Sequence, residues 1–173
     1  MNVKEEIYKA LDDMGIEYSV AKHDLAMTMD DLREVEKELG ATIPKNLFLT
    51  PRNKSAYYLC LFSPHTPFRT ADISKQIGSS RLSFADAESV SRLLKSHGGA
   101  ISPLGLIFDP DKKIRLLIDE ALLKEKKLGF HPNDNTETLS MSGDDFFSVF
   151  LKREGHVPTF VRGSHAAGST DGE

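Results

Sequence analysis

Apolar residues recur at helical spacing near the start of the chain, at Val3, Ile7, Ala10, Leu11 and Met14, and the run halts at Gly15, a residue type that closes helices. This predicts a first helix over 3–14. A short strand is expected over 16–21. Thr28 then offers a hydroxyl cap for a second helix that ends at Leu39 and Gly40. Two apolar runs, 45–50 and 57–62, read as strands on either side of a polar turn. Thr70 or Asp72 is placed to cap a short helix closed by Gly78, and "LSFADAESVSRLLK" predicts a brief strand followed by a helix from Asp86 to Lys95. In "SHGGAISPLGLIFDPDKKIRLLID" a glycine loop feeds a strand, a turn follows at Asp109 to Lys113, and a second strand runs from Ile114 to Asp119. The Asp-Pro-Asp-Lys turn predicts that these two strands form a hairpin. A last helix is expected from Asp144 to Arg153, before Gly155.

Helices scattered among hairpins predict an α+β fold around a mixed sheet, not a doubly wound parallel one. At 173 residues and 19.2 kDa the chain suits a single domain with a real core. That domain is expected over 1–161. From Arg162 the sequence turns to Gly, Ser, Ala and acid, so 162–173 is expected to be a disordered tail or an appended remnant.

Composition narrows the setting. One cysteine, no hydrophobic run of membrane-spanning length and no signal-peptide pattern predict a soluble protein of a reducing compartment, with the cytoplasm as default. The formal charge of −4 argues against a nucleic-acid partner until it is divided along the chain. Residues 1–40 carry five basic and eleven acidic side chains, 41–81 carry six and one, and 82–173 carry eleven and fourteen. A positive segment therefore sits inside an acidic protein. Lys45 belongs to that segment and has no acidic neighbour in the sequence, so it either faces water or waits for an anion.

Three places look chemical. Lys45 and Asn46 stand at the entrance of a strand. Gly98-Gly99-Ala100-Ile101-Ser102-Pro103 is a loop in which glycines let backbone amides approach a ligand and the proline fixes the exit; it reads equally as a helix stop. "GFHPNDNT", residues 129–136, puts His131 among turn formers, where it either lines a pocket or decorates a surface turn. Other chemistries fail. Cys60 lies inside "YYLCLF" and reads as a small buried side chain. His23, His65, His97, His156 and His165 lack metal-ligand spacing, no cysteine pair exists, and neither a P-loop nor a dinucleotide fingerprint occurs. No metal and no cofactor are expected.

Taken in order, "KNLFL" at 45–49, "SKQIGSSRLSFADAE" at 74–88, "GGAISPLGLIFD" at 98–109 and "FHPNDNT" at 130–136 resemble successive blocks of the YbaK/ProX-type aminoacyl-tRNA editing domains. The likeness is nearest to the ProX branch of alanyl-tRNA(Pro) deacylases and runs from about Glu17 to Pro158. It implies a mixed, curved sheet flanked by helices, and a hydrolase that removes alanine wrongly esterified to proline tRNA without a metal or a covalent intermediate. By the same resemblance Lys45 matches the essential lysine of the family, Gly99 to Pro103 its G-x-x-x-P loop with Ala100, Ile101 and Ser102 inside it, and His131 its pocket histidine. Asn46 matches a substrate-pocket position and Arg81 a tRNA-facing one. Lys54 and Lys75, in the same positive segment, join Arg81 as expected contacts to the acceptor stem.

The implied partner is the acceptor end of tRNA(Pro) carrying a mischarged amino acid, with prolyl-tRNA synthetase as a further one; no membrane partner is expected. Where many relatives lead into the loop with Thr-Pro-Gly, this chain has Ser96-His97-Gly98, and His97 either stays in solvent or reaches the site mouth. Two alternatives stay open: the same fold acting on a cysteine, serine or threonine ester, and a tRNA-binding or regulatory module without turnover.

Overall fold

The computed structural model describes residues 1–24 and 28–163. Among these, eight strands form two sheets. Strands β2 (Lys45–Pro51), β3 (Tyr57–Phe62), β4 (Leu82–Phe84), β5 (Ile114–Asp119) and β8 (Thr159–Val161) make a mixed sheet in the order β4-β2-β3-β5-β8. The smaller, antiparallel sheet has the order β1-β7-β6, from β1 (Ser19–Lys22), β6 (Lys127–Phe130) and β7 (Glu137–Ser142). Helices α1 (Val3–Asp13), α2 (Met29–Leu39), α3 (Thr70–Ile77), α4 (Ala87–Leu94) and α5 (Leu151–Glu154) pack around them, the last continuing a π-helical stretch at Asp145–Phe150.

The helix ends follow local chemistry. Asn2 and Glu5 form a capping box on α1, and Thr28 and Asp31 form another on α2, each joining two otherwise unpaired N–H groups to side-chain oxygens. Gly40 ends α2 at φ 62°, a conformation that costs other residues a steric clash.

The run "YYLCLF" is apolar throughout because β3 is covered on both faces. Leu59 and Leu61 join a large core with Ile7, Leu11, Phe48, Ile118 and Phe130, while Tyr58, Cys60 and Phe62 join a second one with Leu49, Ile73, Leu82 and Val161. Each such side chain, fully buried, contributes about 1.5–3 kcal/mol. Burial on both faces is also what allows β3 to pair in parallel with β5, Leu59 opposite Leu116.

Several expectations need correction. The strand expected before Asp109 is a 3-10 helix, Pro103–Phe108, so no hairpin forms there; Pro103 starts that helix, and β5 instead pairs in parallel with both β3 and β8. The hairpin of this region is β6–β7, and its connection carries His131. Thr70 and Asp72 do not cap α3: Arg69 occupies the cap position, without a side-chain bond. The first strand begins at Ser19 and not at residue 16. Arg162 exchanges two backbone to side-chain hydrogen bonds with Gln76, at 2.8 and 2.7 Å. The rest of the expected tail, 164–173, lies outside the described residues.

Besides sharing the large core, the two sheets are hydrogen-bonded to each other at a joint. Thr42 N–H donates to Lys127 O at 3.0 Å and Gly129 N–H donates to Thr42 O at 2.8 Å, a parallel bridge just before β2 begins. A Cβ on Gly129 would stand 2.9 Å from Ile43 Cγ1, so this approach requires glycine. The bridge is isolated and the two strands join different sheets beyond it, Lys45 standing three residues after Thr42 and His131 three residues after Leu128.

Candidate functional site

Lys45 opens β2 opposite Phe62 and is half-buried. Its Nζ donates to Thr66 O at 2.8 Å, and among the described residues no carboxylate pairs with it. The loop that presents Thr66 is held from below, where Ser63 N–H donates to the buried Asp119 carboxylate at 3.0 Å. The ammonium is thus aimed by a neutral carbonyl and keeps its charge uncompensated. Beside it, Asn46 donates to Pro44 O at 3.2 Å, while its Oδ1 is buried without a partner. A buried acceptor left empty is rare, and it marks a place where a ligand donor would be welcome.

The loop after α4 makes two short helical turns, Gly98–Ala100 and Pro103–Phe108. Its interior is consumed by its own bonds. Ala100 N–H donates to His97 O at 2.9 Å, Ser96 Oγ donates to Ala100 O at 2.9 Å, and buried Ser102 Oγ accepts from Leu104 N–H at 2.9 Å. Among the described residues the N–H groups of Gly99 and Ser102 make no hydrogen bond. The N–H groups of Gly98 and Ile101 are likewise without a partner among the described residues, so the loop offers four donors, of which Gly99, Ile101 and Ser102 belong to the G-x-x-x-P stretch. Gly105 lets the second turn lie against α4, since a Cβ there would meet Leu94 O at 2.9 Å.

His131 begins the β6–β7 connection, and that connection is bound tightly to the glycine loop. Asn133, at φ 58°, donates through Nδ2 to Leu94 O at 2.8 Å and to Lys95 O at 3.2 Å, closing the end of α4. A Cβ on Gly99 would lie 3.0 Å from Asn135 Nδ2, so the two loops touch. Asp134 caps the connection by accepting from Thr136, which holds its carboxyl down at about 2.

The protonation pattern of His131 follows from its partners. Its Nδ1 lies 2.8 Å from Glu137 O; a carbonyl only accepts, so Nδ1 carries the proton. Burial lowers the imidazole's pKa from its ordinary value, favouring the neutral ring. Nε2 is then an acceptor, with no partner among the described residues. Thr138 Oγ1, fully buried, lies 3.3 Å from His131 Nδ1 and 2.8 Å from His23 Nε2, while His23 Nδ1 lies 3.1 Å from Asp24 O. His23, which its sequence spacing gave no reason to single out, therefore stands at the site, its ring centroid 5.9 Å from that of His131. Pairing of β1 with β7, Ala21 opposite Thr138, brings it there.

The structure thus joins the glycine loop to the His131 connection, and the joint at Thr42 leads both Lys45 and His131 outward. His97 is exposed and lies at the loop entrance, its Cε1 3.9 Å from where a Gly99 Cβ would be. Of the expected tRNA contacts, Lys75 and Arg81 are exposed, but Lys54 is paired with Asp86 at 3.1 Å and is not a free cation. Arg81 lines an open cleft of about 600 Å³ with Arg52 and the exposed Phe84, at the far end of β2.

Elsewhere, Cys60 is fully buried and its thiol is pushed up to about 12 by burial, which makes it unreactive. Buried His156 pairs with Asp109 at 3.0 Å within the core. Among the described residues no group of three or more His, Cys, Asp or Glu could hold a metal ion, and no helix is long and apolar enough to cross a membrane.

Comparison with known proteins places this geometry in context. Residues 23–149 match the family model described as the aminoacyl-tRNA editing domain. The chain is 30% identical over 157 residues to the prolyl-tRNA editing protein ProX of Acetoanaerobium sticklandii, covering 91% of this chain and 95% of that protein. It is 31% identical over 163 residues to the prolyl-tRNA synthetase associated domain-containing protein 1 of Mus musculus, covering 92% and 95%. A crystal structure described as a putative trans-editing enzyme for prolyl tRNA synthetase superposes with a TM-score of 0.66 at 16% identity, covering 94% of this chain and 98% of that one; it speaks for the fold.

Proposed function

Because this chain belongs to the aminoacyl-tRNA editing domain family, we propose that it is a trans-editing deacylase whose substrate is alanine wrongly esterified to tRNA(Pro). The observation that carries this reading is the uncompensated Lys45 ammonium, set at the same sheet joint that leads to a rigid loop pair holding His131.

The chemistry asks for little else. An aminoacyl ester on the terminal adenosine brings phosphates and a carbonyl that becomes an oxyanion when water attacks. Lys45 anchors that charge, while the free N–H groups of Gly99 and Ser102 receive the carbonyl or the amino-acid backbone. Asn46 Oδ1 accepts a donor from the same ligand. Among the described residues no carboxylate pairs with Lys45; the resemblance to the family implies that the 2′-hydroxyl of the terminal ribose orients the water. Held in this geometry, an ester and a water gain much of their rate from positioning alone.

Selectivity rests on the wall. Proline is larger than alanine, and His131, fixed by Glu137 and Thr138, excludes it by overlap. Amino acids near alanine in size are harder to refuse, because one methylene is worth only about 1–3 kcal/mol and an added hydroxyl is poorly rejected, so glycyl and seryl esters leak in. Alanine on its own tRNA must be spared through acceptor-stem contacts, for which Arg81 and Lys75 are exposed.

The test is hydrolysis of alanyl-tRNA(Pro) by the wild type and by Lys45→Ala, with prolyl-, cysteinyl- and seryl-tRNA(Pro) alongside. Rapid alanine release that disappears with Lys45 is the expected outcome. Preference for another ester would reassign the substrate, and tRNA binding without turnover of any ester would make the chain a binding module.

A further inference from the structure

A second basic feature lies at the opposite end of β2 from Arg81. A cleft of about 500 Å³ opens between the end of α2, the Thr42 joint and the segment leading into β6. Arg33 and Lys37 line one side; Lys124, Lys126 and Lys127 line the other. The two acids in its wall are turned to structural work. Glu36 accepts from Ile43 N–H at 2.7 Å and pairs with Arg33 at 2.8 Å, and Glu125 accepts from Thr42 Oγ1 at 2.7 Å. Lys37 has a distant partner in Glu34, at 3.7 Å. The three lysines of the β6 side are exposed and have no ion-pair partner among the described residues.

Position gives the charge a meaning. Thr42 and Lys127 are hydrogen-bonded to each other at this cleft, and the strands that leave it carry Lys45 three residues on and His131 four residues on. At strand rise these are about 10 and about 13 Å, the span of roughly three to four stacked nucleotides. We infer that this cleft is a phosphate-binding site that grips the sugar-phosphate backbone of the acceptor end, just upstream of the nucleotide whose ester reaches Lys45. The inference rests on the deacylase reading for the identity of the nucleic acid. The lysines line a shallow, open cleft beside the Thr42 joint, from which both site strands leave. Lysine ammonium groups bind phosphate as point charges, without base readout, so the cleft contributes affinity and register and not sequence choice.

The experiment compares the wild type with Lys124→Gln/Lys126→Gln/Lys127→Gln. The readouts are tRNA(Pro) affinity across a salt series and hydrolysis of a short aminoacylated oligonucleotide ending in CCA and lacking the stem. A control variant, Lys152→Gln/Arg153→Gln, removes two exposed charges away from the cleft. Circular dichroism checks that each variant is folded. The expected result is at least about tenfold weaker tRNA binding at low salt and a salt slope shallower by about two, since each phosphate contact on a single strand contributes about 0.7. The control should leave the slope unchanged. An unaltered slope in the triple variant, or an equal loss in the control, overturns the cleft assignment even if hydrolysis is intact. Absence of hydrolysis in every protein, with the slope still lost in the triple variant alone, would instead refute the deacylase reading and leave the phosphate site standing.

Discussion

Lys45 and His131 leave the same joint, yet the molecule treats them in opposite ways. Lys45 is tethered by one hydrogen bond to a carbonyl and is balanced by no carboxylate among the described residues. His131 sits in a connection cross-tied at nearly every residue: Nδ1 to Glu137, Thr138 to His23, Asn133 to the end of α4, Asp134 to Thr136, and Glu137 in turn to Tyr8 at 2.6 Å and to Lys4 at 2.8 Å. The difference fits the two tasks proposed for them. A charge that must meet a ligand is most useful when nothing in the protein has already neutralised it, whereas a wall that measures size must not move.

The largest way to break this contrast is at Lys45. Lys45→Ala is expected to lower alanyl-tRNA(Pro) hydrolysis by about 10²–10³-fold, the usual loss when one preorganised stabiliser of developing charge is removed. Thermal unfolding should barely change, because a single bond to a carbonyl is all that is lost. A drop in Tm that parallels the rate would mean the lysine is structural and the contrast false.

Asn133→Ala should do the reverse. It leaves Leu94 O and Lys95 O without their donor and forces alanine into positive φ, which together cost about 1–3 kcal/mol. Denaturant midpoints should fall, and the alanyl over prolyl preference should narrow more than the alanyl rate declines. Unchanged selectivity in a destabilised variant would remove the rigid-wall explanation.

A pH series sharpens the comparison further. Burial, the leading cause, lowers the pKa of His131 from its ordinary 6.5, with His23 and His97 acting in the same direction and the Glu137 carbonyl and Asp134 opposing. The unfolded chain then takes up the proton first as pH falls. The stability contributed by neutral His131 is complete above 6.5 and is lost as pH falls through the lower folded value. Between about pH 8 and about pH 5, His131→Asn should show a shallower decline in stability than the wild type. Identical slopes would indicate that the ring is not held neutral.

The smallest effect is expected from Thr138→Val, which keeps the shape and removes the hydroxyl between the two histidines. Discrimination against proline should weaken by a few fold, with Thr138→Ser restoring it; failure of serine to rescue would assign the effect to packing.

Much of this was legible in the chain. Strands β2 and β3, the Thr28 cap and the closing glycines are local statements, in which periodicity and one side-chain oxygen decide the outcome. Lys45 stood out because its surroundings in sequence lacked acid, and "FHPNDNT" because its turn formers are themselves local. The misplaced hairpin shows the limit. "PLGLIF" is apolar enough for a strand, but proline at the first turn and a serine cap favour a short helix, and β5 found parallel partners distant in sequence. The segment sums of charge concealed the lysines at the start of β6, because Lys124, Lys126 and Lys127 were averaged with the fourteen acids of 82–173.

The sequence by itself, then, determined the helices, the strands up to β5, the family and the residue types available for chemistry, since each depends largely on neighbours within a few positions. Only the tertiary structure decided that His23 meets His131 through Thr138, that Lys54 is spent on Asp86 while Lys45 is not, and that Asn133 locks two loops together. Those pairings are set by strand register and by contacts between segments distant in sequence, and not by local preference.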